Sequence, residues 1–281
     1  MYKFDEYSNE PIYKYIPLKY LLKMLQSANL YVGKVEQWED VYENFFLKQH
    51  FVYNGQKERL VMDDIVRKCF SGIFGQSWTS CRSSDAMWRI YSKTVGQGRI
   101  GKFLQKSSLT IGDISVDVAV KCLEDVLQDT SVRITTTPRM LYDELRTSRI
   151  FTQDMGVELQ KVQYRTCEVI DKWLDSIYVT STSMVGYIIA SLFTKRMEFQ
   201  HEQEVRLFIH VKSTNAKSGE NALVVPINPL RMIKEYVMDP RLDAKQCEHI
   251  TNLLVKQCVE RRFIRQSTLY KLKPKTLILA D

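Results

Sequence analysis

The stretch His201-Glu202-Gln203-Glu204-Val205-Arg206-Leu207-Phe208-Ile209 decides how this chain is read, because two acids one residue apart stand just before an apolar run. Alternate residues of a strand share a face. An extended backbone here puts Glu202, Glu204 and Arg206 in one row and turns Val205, Leu207 and Ile209 toward the core. Two like charges held that close repel, and the arrangement costs free energy unless Arg206 or a bound ligand compensates them. Most acidic pairs on an amphipathic strand are only its solvated face, so the case for chemistry rests on what the rest of the chain adds.

Working outward, Ile73-Phe74-Gly75-Gln76-Ser77-Trp78-Thr79-Ser80 is strand-like in its aromatic and hydroxyl content. Ser84-Asp85 then supplies two helix-capping residues, and Met87, Trp88 and Tyr91 share a helical face before Gly96-Gln97-Gly98; Arg99 to Leu104 returns as a strand. Near the start, Pro11 to Ile16 reads as a strand, Leu18 to Leu25 as a helix and Leu30 to Gly33 as a second strand. Trp38 to Asn44 reads as a turn into a helix. Late in the chain, Ala222 to Ile227 returns from a turn-rich loop as a strand, and Asp243 to Arg262 reads as one long helix. Neither a repeat nor a low-complexity linker is visible. The simplest account is one α+β domain over residues 1–281, with a helical insertion at about 113–160.

Composition fits a globular protein: 281 residues, 44% hydrophobic and 26% charged. No apolar run approaches the roughly 20 residues that span a bilayer, and the polar N-terminus is unlike a signal peptide, so no membrane partner and a cytoplasmic location are expected. The six cysteines form no Cys-x-x-Cys pair and sit at no ligand spacing from a histidine, so neither a zinc site nor a disulfide framework is suggested. Gly96-x-Gly98-x-x-Gly101 has dinucleotide-fingerprint spacing but follows a helix and enters a strand, the reverse of the required context. The formal charge of +7 and pI of about 9.0 favour a polyanionic partner. Much of the excess falls late, and Arg261, Arg262, Arg265 and Lys273 are the residues expected to touch phosphates of RNA or DNA.

Four segments, in this order, resemble a bacterial family without a settled function, the domain of unknown function family 2971. They are Ile12-Tyr13-Lys14-Tyr15; Gln76-Ser77-Trp78 followed by Ala86-Met87-Trp88-x-x-Tyr91; Phe199-x-His201-Glu202-x-Glu204-Val205-Arg206; and Ile227 to Asp239 with its Pro229 and Ile233. The family's usual Asn-Asp-Pro-Phe-Glu segment is represented only by Glu39-Asp40-Val41-Tyr42-Glu43. The order of the segments in turn resembles an ADP-ribosyltransferase plan, in which an early strand and a tyrosine- or serine-bearing middle segment hold NAD and a late strand brings a glutamate. That resemblance implies a split antiparallel sheet with flanking helices, NAD as the substrate consumed, and Glu204 as the carboxylate that stabilises positive charge on the ribose while accepting a hydrogen bond from its hydroxyl. It makes Glu202 the acid that orients or deprotonates the nucleophile.

Tyr13, Tyr15, Trp88 and Tyr91 suit the flat rings of NAD, although aromatic residues at such positions are as often core packing. Lys14 and Arg206 suit the pyrophosphate, and Arg206 suits equally a salt bridge to the glutamates. The reading implied is a toxin that modifies a macromolecule, nucleic acid above all, restrained by an antitoxin protein and serving in toxin-antitoxin or anti-phage defence. Two other classes stay open. One is a non-catalytic nucleotide or nucleic-acid sensor using the same groove; the other is a metal-dependent nuclease built on Asp63, Asp64, Glu202 and Glu204.

Overall fold

The structure, a computed structural model, describes residues 8–38, 40, 42–43, 45–49, 72–92, 127, 129–148, 155–179, 183–211 and 221–276. Asp63, Asp64, the Gly96 to Gly101 spacing and residues 113–126 of the expected insertion lie outside them. The chain is mixed α/β and divides into two compact units. The first comprises Met1–Lys14, Ser27–Arg82 and Thr135–Met232, and the second Tyr15–Gln26, Ser83–Ile134 and Ile233–Asp281.

The strands in chain order are β1 (Ile12–Pro17), β2 (Asn29–Lys34), β3 (Ile73–Thr79), β4 (Ser131–Thr136), β5 (Met155–Lys161), β6 (Gln163–Arg165), β7 (Thr194–Arg196), β8 (Glu204–Val211), β9 (Ala222–Pro226), β10 (Glu235–Met238) and β11 (Ile264–Gln266). Among the described residues the helices are α1 (Leu18–Ser27), α2 (Asp85–Tyr91), α3 (Pro138–Thr147), α4 (Cys167–Ser176), α5 (Met184–Leu192), α6 (Pro229–Met232) and α7 (Ala244–Lys256). Residues 131–161 thus hold two strands and a helix, so the latter half of the expected helical insertion is sheet and helix together.

In the first unit β3 is central. One edge pairs along its whole length with β8, from Ile73↔His210 to Thr79↔Glu204, and β8 passes the ladder on to β5. The other edge is shared: β2 meets it at Gly33↔Gly75 and Lys34↔Phe74, and β1 at Tyr13↔Thr79. All these pairings are antiparallel, as is β2 with β9. The strands β1 and β2 therefore part over the middle of β3, and side chains reach into the gap. Lys14 Nζ donates to the Ser77 carbonyl at 2.7 Å, and Gln76 Nε2 donates to the Tyr31 carbonyl at 3.0 Å. A carbonyl left without a ladder partner is costly unless bonded, and these long polar side chains bond it.

The helices α4 and α5 cover one face of this sheet. Ile170, Met184, Ile188, Leu192 and Phe193 pack with Ile73 and Phe208 from β3 and β8, together with Val35, Phe45 and Phe46. Strand β8 is consequently buried on both faces, with only His210 exposed. The expected division into a core row and a solvated row does not hold, because the helical segment up to Phe193 lies over the face that carries Arg206 and Phe208, the row that alternation would leave to solvent.

Gly75 admits this packing. A Cβ there would lie 2.6 Å from the Trp38 ring and 2.7 Å from the Phe208 ring. In the second unit Tyr15, Met87, Trp88 and Val237 form a core, with Tyr15 and Trp88 edge-to-face at 4.7 Å. There Ser84 caps α2 through Met87 N, as its residue type suggests. Asp243 and Gln246 form a capping box on α7. That helix ends at Lys256 and not at Arg262, because Cys258 turns left-handed (φ 65°) and Val259 N closes on the Leu254 carbonyl.

Candidate active site

The two glutamates meet, but by a different route from the one their spacing suggests. Met197–Glu202 is a 3-10 turn, Gln203 takes a left-handed conformation (φ 43°), and β8 begins only at Glu204. The Gln203 carbonyl is held there by Ser80 N at 3.0 Å, and Thr79 Oγ1 donates to the Glu202 carbonyl at 2.6 Å. The two acids thus come from different elements, and no pleat relates them. What brings them together is a third residue, Lys195 on β7, whose Nζ lies 2.8 Å from Glu202, 3.3 Å from Glu204 and 3.2 Å from Glu43.

Glu204 is almost wholly enclosed, at 3% exposure. Its Oε1 accepts from Ser77 Oγ at 2.5 Å and Arg206 Nε at 2.8 Å, and its Oε2 from Arg206 Nη2 at 3.0 Å and Lys195 Nζ at 3.3 Å. Its own N–H donates to the Tyr164 hydroxyl at 2.8 Å. Burial alone would raise its pKa; the Arg206 charge and hydrogen bonds, then Lys195 and Ser77, outweigh burial and hold the carboxyl at about 2. Burial likewise works against the charges of Lys195 and Arg206, but the surrounding carboxylates win and raise both. Glu43 goes the other way: desolvation exceeds the pull of Arg206 and Lys195, and its pKa is raised. Burial also pushes the Tyr164 phenol up to about 12.

Arg206 is fully buried, which such a group tolerates only with its donors engaged. Besides Glu204 it reaches Glu43 at 2.6 Å and the Leu192 carbonyl at 2.5 Å, and its guanidinium lies 4.6 Å from the Trp38 ring. It is a structural counter-ion of the glutamates, the second of the two roles its position suggests. Arg196 holds the same early segment from beside it, pairing with Asp40 at 3.3 Å and stacking 4.5 Å from Tyr42. Asp40 and Glu43, two of the three acids of the Glu39-Asp40-Val41-Tyr42-Glu43 segment, are therefore both clamped by cations from β7 and β8.

Lys14 completes the arrangement. From β1 it bonds the Ser77 carbonyl and lies 5.7 Å from the Trp78 ring. Burial lowers its pKa to about 8, with Glu204 pulling in the other direction. Lys14, Ser77 and Glu204 thus form one series across β1, β3 and β8. Glu204 also lines an open cleft of about 510 Å³ whose other walls are Ser80, Lys161, Val162, Tyr164, Gln200, His201 and Gln203.

The remaining candidates sit elsewhere. Tyr13, Tyr15 and Trp88 are buried at 5%, 5% and 0% exposure, and none lines the cleft. Tyr15 and Trp88 are core of the second unit, because their rings find each other and Val237. Tyr91, also of the second unit, is partly exposed. Tyr164 is the aromatic residue of the cleft. In the second unit Arg261, Arg262 and Lys273 are exposed. Arg262 pairs with Glu260 at 2.9 Å, and Arg265 pairs with Glu235 at 2.5 Å. Among the described residues no group of three or more His, Cys, Asp or Glu is placed to hold a metal ion, and no helix is long and apolar enough to cross a membrane.

Ser77, Lys195, Tyr164 and Glu43 carry the site without having been singled out as site residues from sequence. Ser77 and Glu43 had a signal, lying inside the quoted Gln76-Ser77-Trp78 and Glu39-Asp40-Val41-Tyr42-Glu43 segments. Lys195 beside Arg196 reads as an ordinary surface pair.

No protein-family model matches the chain, and no curated protein does. Among solved structures it is similar to that of Thermus sp. 2.9 DarT in complex with ADP-ribosylated ssDNA, with 11% identity, 95% of this chain and 97% of that chain covered, and a TM-score of 0.35.

Proposed function

We propose that this protein is an NAD-consuming ADP-ribosyltransferase that modifies a macromolecule, nucleic acid in the first place. The observation that carries this reading is the Lys14–Ser77–Glu204 series. An early strand, a serine on the middle strand and a glutamate on a late strand meet there: Lys14 bonds the Ser77 carbonyl, Ser77 Oγ bonds the ionised Glu204 carboxylate, and Glu204 is one of the residues that line an open cleft. Cleavage of the nicotinamide–ribose bond leaves the bonding pair on nicotinamide and positive charge on the sugar. A carboxylate that stays ionised and fixed stabilises that charge without reorganising. Glu202, at the end of its 3-10 turn, is the base that takes the proton of the attacking acceptor.

A non-catalytic nucleotide-binding module is the second reading, and one observation favours it. Every acceptor position of Glu204 is already filled by a protein donor. A metal-dependent nuclease fits less well, since Lys195 and Arg206 stand where a metal ion would have to neutralise the same carboxylates. Nicotinamide release from NAD separates the first two. It is expected in the wild type, reduced in Glu204→Asp, and lost in a Glu204→Gln protein shown to be folded by circular dichroism; a folded wild type that binds NAD and releases none is the sensor. The polymer acceptor and an antitoxin partner belong to the same proposal, tested by label transfer from NAD into nuclease-sensitive material.

A further inference from the structure

A carboxylate offers about four lone-pair directions, and on Glu204 all are taken: by Ser77, twice by Arg206 and by Lys195. A substrate hydroxyl can bond this group only by displacing one of them. The four are unequal. Ser77 sits at 2.5 Å, and Arg206 at 2.8 and 3.0 Å is fully buried and anchored besides by Glu43 and the Leu192 carbonyl. Lys195 is the longest of the four at 3.3 Å, and it alone has two other carboxylates closer at hand, Glu202 at 2.8 Å and Glu43 at 3.2 Å. Giving up Glu204 therefore leaves its ammonium still doubly paired, over the Phe199 ring at 4.8 Å.

We infer that Lys195 is a displaceable plug on Glu204: a ribose hydroxyl of the nucleotide takes its place on Oε2, and the ammonium withdraws onto Glu202 and Glu43. Lys195 is thus a specificity-determining residue, since only a ligand carrying a hydroxyl donor at that point recovers the bond it displaces. The inference rests on the NAD reading of the site. It also accounts for the enclosure of Glu204 in the free protein: without ligand, the carboxylate that would cleave NAD is fully engaged.

The test is binding of NAD, and of the analogue whose nicotinamide ribose lacks the 2-hydroxyl, to wild type, Lys195→Gln and Lys195→Arg by calorimetry, with nicotinamide release followed in parallel. Lys195→Gln is expected to tighten NAD about tenfold, the worth of one modest hydrogen bond no longer displaced. Lys195→Arg, whose planar fork can span two carboxylates and resists displacement, is expected to weaken NAD by a similar factor of about ten. Both effects should vanish with the deoxy analogue. Should Lys195→Gln fail to fold, Lys195→Arg keeps the cation and decides alone. Equal effects on NAD and the analogue, or none, overturn the plug while nicotinamide release leaves the enzymatic reading standing. Hydroxyl-dependent coupling without any nicotinamide release does the reverse. A wild type that binds no NAD overturns both.

Discussion

Replacing Glu204 by glutamine removes a buried charge held by Ser77, Arg206 and Lys195, and its effect on stability can be worked out before any activity is measured. Burial raises a carboxyl pKa, but here Arg206, Lys195 and Ser77 prevail and the value falls from 4.5 to about 2. A folded-state pKa below the unfolded one means the contribution is fully present above the unfolded value and is lost as pH falls through the folded one. The difference, 4.5 − 2 = 2.5 units at about 1.36 kcal/mol each, amounts to about 3 kcal/mol near neutrality. This matches the roughly 3–5 kcal/mol lost when one partner of a buried ion pair is removed. Glutamine keeps the shape but turns an amide N–H2 toward groups that are themselves donors, so the substitution is not silent for the fold. Guanidinium unfolding of both proteins from pH 7 to pH 3 is the assay. Between pH 5 and 3 the wild type should lose about 2 kcal/mol more than Glu204→Gln. Glu43, whose pKa is displaced upward by burial and in part by Glu204 itself, works in the opposite sense, and more so in the wild type than in Glu204→Gln. Parallel curves would refute the reasoning, since Glu204 would then titrate as an ordinary carboxyl.

Ser77→Ala should lower nicotinamide release and raise the acid limb of its pH profile, because a hydrogen bond to a charged acceptor, worth about 1.5–3 kcal/mol, is removed from Glu204. Lys14, lowered to about 8 by burial and partly restored by Glu204, should become reactive toward reductive methylation near pH 8, and at lower pH still in Glu204→Gln. An unmoved midpoint would dissociate the two groups. Gly75→Ala should cost about 1–3 kcal/mol in thermal or denaturant unfolding, since its methyl would press on Trp38 and Phe208. If the acceptor is nucleic acid, replacing Arg261, Arg262 and Arg265 by glutamine should weaken its binding and flatten the salt slope by about 0.9 for each phosphate no longer neutralised, with NAD cleavage retained. An unchanged slope removes this segment from the acceptor site.

The strands that build the site were legible because their residues alternate or cluster as strands do: Ile73 to Thr79 and Glu204 to Val211 fall where their aromatic and β-branched content puts them. The start of α2 was legible for the same local reason, Ser84 being a capping type that bonds Met87 N. What failed depends on partners distant in sequence or on backbone choices that carry no residue signature. Nothing about Gln203 announces a left-handed turn, so Glu202 reads as part of the strand it precedes. Cys258 ends α7 in the same conformation where a glycine would have been the usual mark. Tyr15 and Trp88 are the residue types that a flat ligand ring requires, but the same flatness lets them pack edge to face on each other. Lys195 owes its role to Glu43 and Glu204, which come to it from other elements, and no spacing in the chain encodes that meeting.

The central claim is that the carboxylate joined to Lys14 through Ser77 breaks the nicotinamide–ribose bond, and release of nicotinamide from NAD by the purified protein tests it most directly. The account predicts release by the wild type, sharply reduced release by Glu204→Asp, and a loss of about a hundredfold or more in folded Glu204→Gln. Release by folded Glu204→Gln at the wild-type rate would contradict it.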